Sequence, residues 1–136
     1  MIREAYVSSE IAEFLQEKGF NVKCHCHYWA QDKGYLFYSD IEQNWNSASE
    51  DWYSCPTHQM TCAWLREAHN IYICPKLCCF QGSGKKDKPY YKWEARILSL
   101  PTGNIISPQY GILNYYETYE DAVDAALLYI KDNKLI

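Results

Sequence analysis

The stretch "YYKWEARILSL", residues 90–100, decides the fold class. Tyr91, Trp93, Ala95 and Ile97 alternate with Lys92, Glu94 and Arg96. A period of two sends the first set to one face of a strand and the second to the other. One apolar and one charged face is the pattern of an antiparallel sheet covered on one side. Helices on either flank of the chain can supply the cover. Downstream, Thr118 and Asp121 stand at capping-box spacing. Behind them Tyr119, Ala122, Val123, Ala126, Leu127 and Ile130 recur at helical spacing, with Glu120, Asp124 and Lys131 outside. Upstream, Ser8 or Ser9 caps a helix striped by Ile11, Phe14 and Leu15. Gly19 is placed to end it, with Phe20 folding back as in a Schellman motif.

Between these ends the reading is mixed. Residues 22–30 and 34–39 read as two strands around a hairpin loop, "AQDKG". Residues 40–54, "DIEQNWNSASEDWYS", are acidic and aperiodic and read as a long loop. "CPTHQMTCAWLREAHN", residues 55–70, reads as a helix with Pro56 in its first position and Met60, Trp64, Leu65 and Ala68 on the buried face. Arg66, about 200° around from Trp64, faces away. "IYICPKLCCF", residues 71–80, reads as a strand interrupted at Pro75, at a sheet edge or a bulge. "QGSGKKDKP" is a basic loop, and residues 104–114 add one or two short strands. The expectation is one α+β domain over 1–136, in the order α-β-β-α-β-β-(β)-α, its antiparallel sheet covered by helices.

A chain of 136 residues with 48% hydrophobic and 22% charged side chains is built to fold around a core. Its net charge of -4 argues against a general attraction to nucleic acid. "MIREAYVSSEIAEF" offers no apolar run of signal-peptide length, and no stretch approaches the roughly 18 apolar residues of a membrane span. A cytoplasmic protein is expected, with its seven cysteines kept as thiols. Thirteen Tyr and five Trp against four Phe form a surplus of rings with polar handles, which suits binding surfaces as well as cores.

"KCHCHYW", residues 23–29, raises the question of a metal. On a strand, Cys24 and Cys26 share one face while His25 and His27 share the other, so the four cannot close one tetrahedral site. Outside ligands such as His58 and Cys62, one helical turn apart, would be needed. The plainer reading is a strand with buried Cys and exposed His, without metal or other cofactor. "GSGKK" lacks the earlier glycine and the following Ser or Thr of a phosphate loop, and leads into a strand. "CPTH" sets Cys55 near a helix start with His58 close by, a conceivable thiol nucleophile with no orienting third group.

"REAYVSSEIAEFLQEKGF", "PTHQMTCAWLREAHNIYI" and "YETYEDAVDAALLYI" together resemble a family of small uncharacterised proteins common in gut-bacterial genomes, prophages and mobile elements. The matching positions in the middle stretch include Pro56, Thr57, Gln59, Met60, Trp64, Leu65, Arg66, Glu67 and His69. "CHCHYW" is not part of the family pattern, which weakens the metal reading further. The resemblance implies a context of mobile elements, whose accessory proteins often inhibit or sequester a host factor. It implies no particular chemistry.

The leading expectation is a non-catalytic, homo-oligomeric binding module that captures a nucleotide-like small ligand. Trp45, Trp52, Tyr53, Tyr115 and Tyr116 are its candidate stacking rings, each with a plainer reading as core cover. Arg66, Lys85, Lys86 and Arg96 are its candidate anion-binding side chains. Three alternatives stand beside it: an inhibitor of a host protein acting through an aromatic surface, a cysteine enzyme using Cys55 and His58, and a helix-turn-helix nucleic-acid binder. A strand after the first helix and the negative charge disfavour the last.

Overall fold

The computed structural model of the chain describes residues 5–81, 88–106 and 115–136. Within them the elements run α1 (Ser9–Glu17), β1 (Cys24–Trp29), β2 (Asp32–Gln43), α2 (Trp45–Ala48), β3 (Trp52–Ser54), α3 (His58–His69), β4 (Ile71–Phe80), β5 (Tyr90–Ser99), β6 (Asn104–Ile105) and α4 (Tyr119–Asp132). The fold is α+β, but the expected single sheet is two antiparallel three-stranded sheets, ordered β2-β1-β3 and β4-β5-β6. Helix α1 packs on β3 and on α4, while α4 covers β4 and β5, so the two helices form a layer between the sheets. Val7, Ile11, Phe14 and Leu15, Cys26 and Cys55, Ile73 and Ile97, and Val123, Ala126 and Leu127 meet there in one core. Among the described residues no helix is long and apolar enough to cross a membrane.

The helix ends follow the sequence closely. Ser8 caps α1, accepting the Ile11 N–H. At its other end Gly19 takes φ 83°, its N–H donating to Gln16 and that of Phe20 to Leu15, the paired bonds of a Schellman ending. Thr118 caps α4 by accepting the Asp121 N–H at 3.1 Å. In α3, however, Thr57 is the cap and His58 the first residue, so Pro56 lies before the helix. A tertiary contact explains the shift: the Pro56 carbonyl accepts the Val7 N–H at 3.1 Å.

Several expectations are corrected. Residues 40–54 are largely ordered elements: β2 runs on to Gln43, and α2 and β3 follow. These short pieces hold by tertiary bonds, among them Trp45 Nε1 to the Cys24 carbonyl at 2.7 Å and the mutual bonds of Asn46 and Ser54. Strand β4 is continuous through Pro75, which pairs with Ala95 while lying on the sheet edge, where a missing N–H costs no ladder bond. On α3 the buried positions are His58, Thr61, Trp64 and Leu65, and Ala68 is exposed. Tyr91 keeps the face expected of it but is 58% exposed, because α4 begins level with Trp93 and covers nothing beyond. Tyr119, the first residue of α4, is exposed for the same reason. Glu94, expected in water, is 5% exposed and lies 3.5 Å from Arg96.

Candidate functional site

The N-terminus of α3 meets α4 across a cleft. His58 is buried, and its Nε2 lies 2.8 Å from Asp124 Oδ1 on α4. Nε2 is satisfied by the carboxylate, while Nδ1 is buried with no hydrogen-bond partner. Beyond this bond the helices part around a cavity of about 430 Å³. His58, Cys62 and Arg66, each one turn after the last, form one wall. Tyr119, Glu120 and Val123 of α4 form the other, and Tyr72, Ile73 and Pro75 of β4 the floor.

The walls differ in chemistry. The Arg66 guanidinium carbon lies 6.0 Å from the centre of the Tyr72 ring, a cation held over an aromatic face. Cys62 is half-buried, and burial pushes its thiol up while Arg66 pulls in the opposite direction. Burial likewise raises the Tyr119 hydroxyl, with Cys62, Glu120 and Tyr72 adding to it. Helix α3 carries no acidic residue in its first turn, so the partial positive charge of its N-terminus is not offset from within. Helix α4 carries Glu120 and Asp121 there.

Of the expected ligand-binding side chains among the described residues, Arg66 alone lines this cleft. Trp45, Trp52 and His27 form a separate aromatic group on the outer face of the first sheet. The His27 ring stacks 4.1 Å from Trp45 and lies 5.1 Å from Trp52. Trp45 is buried there, and Tyr53 packs toward the core, its ring under Lys33. Arg96 sits on the far face of β5 with Glu94. Tyr116 pairs with Trp93 and packs on the core, whereas Tyr115 is exposed, with its ring against Phe80. Lys85 and Lys86, with the "GSGKK" loop, lie outside the described residues.

In "CHCH", Cys24 and Cys26 point into the protein and are buried, and His25 is exposed, as a strand requires. Among the described residues no group of three or more His, Cys, Asp or Glu side chains could hold a metal ion. Cys55 and His58 are turned apart. The Cys55 thiol is fully buried, donates to the Val7 carbonyl at 3.4 Å, and is pushed up by burial, the state of an inert core thiol. The thiol that shares the His58 cavity is Cys62.

Sequence reasoning missed Tyr72, Tyr119 and Glu120 as cleft residues and Asp124 as the His58 partner. The spacing of His58, Cys62 and Arg66 was the available signal, since it marks a stripe that lies apart from the Trp64 face. No family model, no curated protein and no solved structure matches this chain.

Proposed function

We propose that this chain is a non-catalytic binding module that captures a nucleotide-like small ligand in the cleft between α3 and α4. One observation carries the reading: a cavity of about 430 Å³ with Arg66 held over the Tyr72 ring at its mouth and the N-terminal turn of α3 in its wall. That volume falls within the ~300–1,000 Å³ of small-molecule sites. Arginine presents a planar fork that matches two phosphate oxygens, and a base can stack on tyrosine at that end. The resemblance to proteins of prophages and mobile elements supports a role in sequestering a host ligand in the cytoplasm, by a homo-oligomer.

The test is a thermal-shift panel of linear and cyclic nucleotides on the wild-type chain and on Arg66→Ala. The expected result is stabilisation by at least one nucleotide, lost in Arg66→Ala while the fold remains. A flat panel, or a variant that binds as well as wild type, rejects the reading.

A second reading has its own observation. Tyr35 and Phe37 share the outer face of β2, 60% and 37% exposed with their rings 5.0 Å apart, a surface that would suit inhibition of a host protein. Pull-down by wild type that is lost in Tyr35→Ser/Phe37→Ser and kept in Arg66→Ala would favour it.

A further inference from the structure

The cleft carries two charges of opposite sign. Among the described residues the Arg66 side chain makes no ion pair, lying over Tyr72 and near the Cys62 thiol, and the Glu120 carboxylate makes no hydrogen bond or ion pair. The two stand on opposite walls, one on α3 and one on α4, and are not bonded to each other. Asp124 is engaged by His58 and adds no second free anion. A polyanion alone would meet Arg66 favourably and Glu120 unfavourably. A ligand that satisfies both must carry an anionic group at one end and hydrogen-bond donors at the other, with a flat body between them to lie along Tyr72 and Tyr119.

We propose that Glu120 selects the base, and that the ligand is a guanine nucleotide. This rests on the reading of the cleft as a nucleotide site. A carboxylate is an acceptor only, and two oxygens side by side fit two adjacent donors. Guanine presents N1–H and N2–H₂ next to each other. Adenine and cytosine each set one amino donor beside a ring-nitrogen acceptor, and uracil sets its single N–H between two carbonyls. Each of those bases would place a lone pair against the carboxylate, a repulsion that guanine avoids. Phosphate on Arg66 and guanine on Glu120 would use both walls.

Calorimetric titration of the full chain with GMP and with AMP, on wild type and on Glu120→Gln, tests the assignment. Wild type should bind GMP about tenfold or more tightly than AMP, the order of discrimination one bidentate pair provides. Glu120→Gln should bring the two affinities together, chiefly by weakening GMP, since an amide offers one acceptor and one donor and suits adenine equally. Glu120 is exposed at the start of α4, and circular dichroism should show both proteins equally folded. Equal affinities in wild type, or a GMP preference that survives Glu120→Gln, overturns Glu120 as the selector while leaving the cleft a nucleotide site. Binding of neither nucleotide rejects the cleft itself, and this assignment with it.

Discussion

At the scale of single residues, the proposed function has Trp64 and Arg66 divide folding from recognition within two positions of one helix. Trp64 is 7% exposed, with its ring 5.3 Å from that of Phe20, so Trp64→Ala should cost about 3–5 kcal/mol in urea unfolding. Arg66 is exposed, and Arg66→Ala should change stability by no more than about 0.5 kcal/mol. A Trp64→Ala protein as stable as wild type would mean that the helix is turned the other way. His27 makes a prediction in pH. Burial against Trp45 lowers its pKa, and its Nδ1 has no partner. The unfolded chain therefore binds a proton at about 6.5 while the folded protein still resists it. This contribution to stability is whole above pH 6.5 and falls away as the pH drops toward the depressed value. Urea unfolding at pH 7.5 and 5.5 should show a larger acid loss for wild type than for His27→Phe, which keeps the stack and cannot titrate. Alternation made Cys24, Cys26 and His25 legible in the sequence. It could not reveal that Trp45 folds over His27, because that contact comes from a different element.

At the scale of elements, caps were the most legible features. Ser8, Thr57 and Thr118 each accept the N–H three residues on; Ser8 and Thr118 were read from the sequence, whereas Thr57 was passed over because Pro56 fits a first helical position. Removing the Thr57 hydroxyl as Thr57→Val should cost roughly 1 kcal/mol, within the ~0.5–2 kcal/mol of lost caps. Thr118→Val should cost about as much at the start of α4. Both caps border the cleft, since Thr57 lies in its lining and Thr118 sets the turn that presents Tyr119 and Glu120. On the nucleotide reading, thermal shifts by nucleotide should shrink in both variants by more than the stability loss alone accounts for. Ser8→Ala, at the cap of α1 outside the cleft lining, should lose stability alone, and an equal loss of binding there would separate the caps from the site. What escaped the sequence at this scale was short. The four residues of α2 and three of β3 fall below any periodicity, and long-range bonds such as Asn46 Nδ2 to the Phe20 carbonyl define them. Tertiary contact, rather than propensity, makes these elements.

At the scale of the molecule, helical cover on one face of β5 is what the alternation at residues 90–100 implied, and the division into two sheets with helices between them is what it concealed. A period of two says that a strand has a covered face, not which strands share its ladder. The cleft was half legible for the same reason. His58, Cys62 and Arg66 lie on one helix, whereas Glu120 and Asp124 reach them from α4, more than fifty residues along the chain. The shared core makes the final prediction. Cys26 and Cys55 lie side by side on β1 and just after β3, with the Cys55 N–H donating to the Cys26 carbonyl at 2.9 Å, and both are fully buried. They belong to one core cluster with residues of α1, α4 and the second sheet. Exposing either thiol therefore requires the layers to separate, and no local opening should suffice. Pulsed alkylation read by mass spectrometry should modify exposed Cys79 at once. Cys26 and Cys55 should react together, with a protection free energy equal to that of global unfolding in urea. If they are labelled earlier, the first sheet opens while α4 still holds the second, and the two sheets are separate cooperative units joined by a weak seam.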